Sequence, residues 1–127
     1  MKLRFSKNSI RFRLLQSEVN RLVSSGYVTE TIYFGPGEQS FLTYSLIMEQ
    51  KVGSVSLRHS SHEIAIVLPE SIAKSWAFGE HVGVYASANI GERGGVDLIV
   101  EKDFACLDLS DADNCDTFPN PQLEASC

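Results

Sequence analysis

The sequence predicts a mainly β protein of the α+β class, with two short helices. Three observations support this fold class. Apolar and charged residues alternate over Ile10–Leu14, with the period of two that marks a half-buried strand. Two short segments carry apolar residues at helical spacing, and the strand and helix patterns occur twice along the chain. A chain of 127 residues fits one compact unit.

In the first half of the chain, the strand at Ile10–Leu14 is followed by a helix of about two turns over Gln16–Ser24, with its apolar residues on one face. Tyr27–Phe34 and Phe41–Met48 predict two further strands. Gly and Pro residues at 35–38 predict the tight turn that joins them.

The second half repeats this order of elements. The strand Ile64–Leu68 leads to Pro69, which suits the first position of a helix because proline has no N–H to bond there. The predicted buried face of that helix consists of Ile72, Ala73, Trp76 and Ala77. His81–Ala88 and Val96–Lys102 then predict two strands, with a turn at 89–95.

An internal repeat explains this agreement. Residues 1–48 align without a gap on residues 55–102, at an offset of 54 positions, and nine of the 48 pairs are identical. Apolar residues also fall on apolar residues, as Phe12 does on Ile66. The sequence therefore predicts one domain at 1–102, made of two tandem repeats, and an acidic C-terminal tail at 103–127 that contains prolines.

The charge and the cysteines are unevenly distributed. The net charge is −5, and the tail carries six acidic residues and no Lys or Arg. All three cysteines, Cys106, Cys115 and Cys127, lie in this tail, and their spacing does not match a zinc site. The chain has no apolar run of membrane-spanning length and no apolar N-terminal signal, so we expect reduced thiols and a cytoplasmic protein.

Two segments resemble the swapped-hairpin domains of the AbrB and MazE type. The first is Asn8–Leu14, followed by Glu18 and Val19, and the second is Ile64–Ile72, followed by Gly79–Val82. Members of that family are normally homodimers in which each chain supplies half of an intertwined barrel. The resemblance therefore implies a single-chain, pseudo-dimeric swapped-hairpin β-barrel.

A second resemblance covers nearly the whole chain. The opening Met1–Arg4 with Asn8–Arg11, and the ending Glu101–Leu107 with Asp116–Pro121, resemble a group of short bacterial proteins of unknown function. This resemblance implies no activity.

The swapped-hairpin resemblance implies a DNA-binding surface on the basic N-terminal strands. The residues carried over are Lys2, Arg4, Lys7, Asn8, Arg11 and Arg13. The alternative is that Arg11 and Arg13 form the solvated face of an amphipathic strand. The second repeat favours this alternative because Ala65 and Val67 replace these arginines, and the acidic tail would compete with phosphate.

Ala65 and Val67 also suggest an exposed apolar patch on the second repeat. One prediction is that the tail covers it through Phe104, Leu107 and Phe118, and the other is that a partner binds there. We expect a protein partner, with DNA as the alternative ligand, and a monomer or a weak homo-oligomer.

The motifs of catalysis and of metal binding are weak. The sequence has no nucleophile elbow, no P-loop and no dinucleotide fingerprint, so we expect no enzymatic activity and no cofactor. His59 and His62 lack a third zinc ligand, and Asp108, Asp111, Asp113 and Asp116 fail the calcium-loop pattern. The leading hypothesis is a non-enzymatic interaction or structural module, the alternative is a DNA-binding regulator, and a third is a metal or thiol activity of the tail.

Overall fold

The structure is a computed structural model that describes residues 1–104 and 116–119. Its helices are α1 at Gln16–Ser25 and α2 at Glu70–Phe78. The strands in chain order are β1 Lys2–Ser6, β2 Ser9–Leu14, β3 Tyr27–Tyr33, β4 Phe41–Glu49, β5 Ser56–His59, β6 Glu63–Pro69, β7 Gly83–Asn89 and β8 Gly95–Lys102. A short 3-10 turn at Gly91–Arg93 joins the last two strands. The mainly β, two-helix class is therefore confirmed.

The strands form two four-stranded sheets. Sheet A has the order β1-β2-β8-β7 and sheet B has the order β3-β4-β6-β5. In each sheet the two central strands are parallel and the outer pairs are antiparallel. The predicted closed barrel is wrong for the described residues, because the outer strands β1, β7, β3 and β5 end their sheets and do not pair between sheets.

Each sheet combines strands from both halves of the chain. The hairpin β1–β2 pairs with β8, and the hairpin β5–β6 pairs with β4. The registers correspond at an offset of 54 residues, since Ser9 pairs with Asp97 while Glu63 pairs with Thr43.

One pair of strands departs from the gapless alignment. In the first half, Tyr27 pairs with Ile47. At an offset of 54 residues the corresponding pair would be His81 with Glu101. Glu101 instead pairs with Gly83, two residues later. The hairpin loop is shorter at 90–94 than at 34–40, and the link before β7 is correspondingly longer. The predicted strand start at His81 is therefore two residues too early.

The helices end and begin where local chemistry requires it. Gly26 ends α1 with φ +88°, a left-handed conformation that glycine adopts without strain, and its N–H donates to Leu22 O over 2.8 Å. Pro69 precedes α2 as its N-cap instead of occupying the first helical position. Val19 and Leu22 of α1, with Ala73 and Trp76 of α2, are buried.

One hydrophobic core takes side chains from both sheets and both helices. Its fully buried large side chains include Phe12, Leu14, Leu22, Leu46, Ile66, Leu68, Trp76 and Leu98. The Phe12 ring, from sheet A, lies 6.0 Å from the Tyr44 ring of sheet B. The two sheets therefore share a single core.

Candidate interaction surface

The outer face of sheet A carries most of the predicted nucleic-acid residues. Lys2 and Arg4 of β1 lie directly opposite Arg13 and Arg11 of β2. Alternation along the two strands places all four cations on one face, opposite the buried Phe12. The fold therefore brings these four cations together.

Acidic side chains neutralise much of this cationic group. Arg11 Nε lies 3.2 Å and Arg13 Nε 3.8 Å from Glu101 Oε1. Lys2 Nζ lies 2.8 Å from Oδ2 of the buried Asp103, as an ion pair without hydrogen-bond geometry. These contacts match the alternative interpretation, in which the arginines form a charged outer face.

The turn between β1 and β2 has a mainly structural role. Asn8 Nδ2 donates to Gly95 O over 2.6 Å, and Asp97 N–H donates to Asn8 O over 3.0 Å, so Asn8 holds the turn against β8. Lys7 adopts φ +52° in this turn. Within residues 1–104 and 116–119, Arg4 and Lys7 are exposed and have no ion-pair partner.

Ala65 and Val67 do not form the exposed patch that the sequence suggested. Their exposures are 2% and 0%, although they lie on the face of β6 opposite the core residue Ile66. The reason is their position in a central strand, flanked by β4 and β5. Arg58 of β5 and Glu49 of β4 form a two-bond ion pair, 2.7 Å for each bond, that spans β6.

The described part of the tail packs at another place. Phe118 packs against the core, its N–H donates to Asp103 O over 2.7 Å, and its ring lies 6.0 Å from the Phe104 ring. Lys102 Nζ lies 5.4 Å from the Phe118 ring centre and donates to Gly79 O, at the end of α2, over 2.9 Å. Burial lowers the pKa of Lys102. The predicted docking residue Leu107 and the three cysteines lie outside the described residues.

Asp116 caps the N-terminus of α1. Its carbonyl oxygen accepts the Gln16 N–H over 3.0 Å, and its Oδ1 accepts the Ser17 N–H over 3.1 Å. The Ser17 hydroxyl donates to Oδ2 of the same carboxylate. Leu15, at the N-cap position, has no side-chain acceptor, so a residue about a hundred positions away supplies the cap.

We expect Asp116→Ala to lower the free energy of unfolding by about 1 kcal/mol, the usual value of a helix N-cap. Urea unfolding followed by circular dichroism measures this loss. Asp97→Ala is the matched control, because Asp97 is an exposed aspartate on β8, and we expect its effect to stay within about 0.5 kcal/mol. Equal stability of the two variants would contradict the capping role of Asp116.

The amino group of Met1 is buried beside two carboxylates. It donates to Glu18 and, over 2.9 Å, to Glu30 Oε1. The Tyr44 hydroxyl donates to Glu30 Oε2 over 2.8 Å, and the Leu15 N–H donates to Glu18 Oε1 over 2.9 Å. This buried cluster was not predicted from the sequence because its members come from four separate segments.

The pKa shifts of Glu30 and Tyr44 fit a structural role. Burial alone would raise the pKa of Glu30, but hydrogen bonds from the amino terminus and Tyr44 outweigh burial and lower this pKa below its usual value. Burial, followed by the hydrogen bond to Glu30, raises the pKa of Tyr44 to about 12. Glu30 therefore stays charged and Tyr44 neutral at pH 7, whereas general acid–base catalysis works best with a pKa near the operating pH.

Exposed aromatic and apolar side chains gather at one end of sheet B. We define the aromatic patch as Ile32, Tyr33, Phe34, Phe41 and His62; alternation along β3 places Tyr33 on the outer face of the sheet and Ile32 on the opposite face. Tyr33 and Phe34 are 75% and 67% exposed. The Phe41 ring lies 6.5 Å from the Tyr33 ring and stacks on His62 at 4.9 Å. The available sequence signal was the run of three apolar residues before Gly35, since such runs are seldom exposed without a function.

A cleft of about 560 Å³ lies between the β1–β2 turn and the β5–β6 turn. Its walls include Ile10 and Ile64, which lie 54 positions apart in the sequence, and Lys7, His59 and Arg93 also line it. Among residues 1–104 and 116–119, no three His, Cys, Asp or Glu side chains are grouped as metal ligands. His62 stacks on Phe41, and Asp116 is engaged at the helix cap.

Comparison with known sequences identifies the family. The family of unknown function DUF7009 matches residues 1–122. The chain belongs to this family. The DUF7009 match agrees with the prediction of a family of unknown function, and it includes both sheets as well as Asp116 and Phe118. No curated protein and no solved structure matches the chain. In the described part of this DUF7009 member, neither helix has the length and apolar character to span a membrane.

Proposed function

We propose that this protein is a non-enzymatic protein-interaction module of a cytoplasmic, bacterial type. Its two halves, 1–48 and 55–102, form a single-chain pseudo-dimer of the AbrB and MazE type in this proposal. The exchange of hairpins supports the pseudo-dimer, because β1–β2 joins β8 and β5–β6 joins β4 in equivalent registers.

The aromatic patch is the observation that carries the interaction function. Exposed apolar side chains are common singly, but a group of them at one end of a sheet is a feature of binding surfaces. Aromatic side chains are also enriched at the centres of protein interfaces. The patch lies at adjacent ends of β3 and β4, on the loop between them and on the β5–β6 turn.

DNA binding is the second candidate function, and the grouping of Lys2, Arg4, Arg11 and Arg13 on one face favours it. Each phosphate contact adds to affinity and to its salt dependence. The ion pairs to Glu101 and Asp103 weigh against it, because these carboxylates would have to be displaced by phosphate. We therefore place protein binding first.

A comparison of two patch variants with a matched surface variant tests the proposal. Phe34→Ser and His62→Ala should abolish capture of a partner from an extract of the producing cells, measured by quantitative mass spectrometry. Phe78→Ser should retain it, because Phe78 is 73% exposed at the end of α2, outside the patch. A partner that all three variants retain equally would contradict the patch as the binding surface.

Fluorescence anisotropy of a labelled random DNA duplex tests the second function. If protein binding is the function, we expect no binding across the salt series. Binding with a negative salt slope that Arg4→Ala and Lys7→Ala weaken, while Arg21→Ala does not, would favour DNA instead. Arg21 is an exposed arginine on α1, outside the predicted DNA residues, and serves as the control.

A further inference from the structure

The outer edge of β3 has no backbone partner within residues 1–104 and 116–119. β3 ends sheet B, and among the described residues its backbone bonds only within the sheet, to β4. The Phe34 N–H donates to Ser40 O, and the Met48 N–H donates to Gly26 O. These two bonds show that the backbone N–H and C=O groups of the even-numbered residues point toward β4. Alternation therefore turns the N–H and C=O groups of Tyr27, Thr29, Thr31 and Tyr33 to the open side.

β3 has one charged side chain, Glu30, and its carboxylate is paired with the amino group of Met1. Exposed edge strands usually carry lysines, prolines or bulges that prevent another strand from pairing. β3 reads YVTETIY and has neither lysine, arginine nor proline, whereas the edge strand β1 carries Lys2 and Arg4. The hydroxyls of Thr29 and Thr31 bond those of Ser45 and Thr43 over 2.8 Å each, which leaves an uncharged outer surface.

The sequence of β3 is nearly palindromic about Glu30. An antiparallel pairing of two copies centred there places Tyr27 opposite Tyr33, Thr29 opposite Thr31, and Val28 opposite Ile32. The residues with free N–H and C=O groups then face each other in hydrogen-bonded pairs, because both members of each such pair are odd-numbered. The symmetry of the sequence and the outward backbone groups of the odd-numbered residues therefore select the same register. In this register the same residues of both copies meet about a two-fold axis, as an interface between identical chains requires.

We infer that β3 is a self-association edge, through which a second copy of this chain extends sheet B into one sheet of eight strands. This inference rests on the proposed interaction function and names one partner. Glu30 meets Glu30 of the second copy at the centre, and each carboxylate already has an amino group of its own chain at 2.9 Å and the Tyr44 hydroxyl at 2.8 Å. These partners reduce the repulsion that two opposed carboxylates would otherwise have.

Sedimentation velocity of the purified full chain, from about 1 to about 200 µM, tests the inference by mass action. We expect a monomer–dimer equilibrium. Thr31→Pro should weaken it at least about tenfold, since proline removes an outward N–H and is tolerated at edges. Thr31→Lys should weaken it similarly, because a charge protects an edge, and it serves as the test if the proline variant does not fold.

Ser87→Lys is the matched control. Ser87 is exposed on β7, the edge strand equivalent to β3 in sheet A, so we expect this variant to dimerise like the wild type. A wild-type chain that stays monomeric at every concentration overturns the inference, as does equal weakening by Ser87→Lys. Because the assay uses the purified chain and leaves Phe34 and His62 unchanged, its failure leaves the proposed capture of another protein intact.

Cross-linking tests the register. In a chain whose three cysteines are replaced by serine, Tyr27→Cys and Tyr33→Cys variants should cross-link with a short bismaleimide when mixed. Each variant alone should not, because its two copies of the introduced thiol would be about 20 Å apart along the strands. Cross-linking of either variant with itself, or none in the mixture, contradicts the pairing about Glu30.

Discussion

Glu18→Ala should lower the free energy of unfolding by about 3–5 kcal/mol, the cost of removing one partner from a buried ion pair. Glu18 is 5% exposed, and its carboxylate accepts hydrogen bonds from the amino group of Met1 and from the Leu15 N–H. Alanine leaves the buried ammonium with Glu30 alone and removes the acceptor of the Leu15 N–H. Urea unfolding at pH 7 measures the effect.

Two further variants show whether charge causes this loss. Glu18→Gln keeps the shape and an acceptor oxygen but not the charge, so we expect a smaller loss than with alanine. Glu38→Ala changes an exposed glutamate of the β3–β4 loop, and its effect should stay within about 0.5 kcal/mol. If Glu18→Ala is no more destabilising than Glu38→Ala, the buried ion pair does not stabilise the fold.

Phe12→Ala should lower the free energy of unfolding by a similar amount, about 3–5 kcal/mol, because it opens a cavity in a core that both sheets share. Phe12 is fully buried on β2 and contacts Tyr44 of the other sheet. The single tryptophan, Trp76, lies in α2, in the second half of the chain, so its fluorescence reports a different region from the one changed. We expect the unfolding midpoint by fluorescence to fall together with that by circular dichroism.

The control for this prediction is Phe5→Ala, the same chemical change at a side chain that is 57% exposed on β1. We expect its effect to be several-fold smaller than that of Phe12→Ala. An unchanged Trp76 transition in Phe12→Ala would mean that the second half unfolds independently. Such independence is incompatible with sheets in which β2 pairs with β8 and β4 pairs with β6.

Local patterns predicted the elements of this fold well. The alternation over Ile10–Leu14 and the apolar faces of the two helices correspond to β2, α1 and α2, with boundaries within one or two residues. These patterns succeed because burial on one face of a strand or helix imposes a period on the chain itself. The start of β7 was predicted two residues too early. The link before β7 is longer than the link before β3, and the loop after β7, at 90–94, is two residues shorter than the loop at 34–40. Hydrophobic periodicity does not report such loop lengths.

The candidate surfaces were predicted less well, and the reason is contact between distant segments. The cations of β1 and β2 do share a face, but Glu101 and Asp103, which pair with them, follow β2 by many residues. Ala65 and Val67 have the outward side-chain pattern of an exposed patch, yet flanking strands bury them. Such burial depends on whether a strand lies at the centre or at the edge of its sheet. The alternation of apolar and polar residues along a strand does not predict this position.

The sequence by itself determined the α+β class, the order of strands and helices, and the acidic character of the tail, because these follow from local periodicity and composition. Only the tertiary structure decided which strands are neighbours, that Asp116 caps α1, and that the amino group of Met1 lies with Glu18 and Glu30. It also decided that aromatic side chains gather at one end of sheet B. Each of these depends on groups far apart in the chain, whose meeting is fixed by the burial of one shared core.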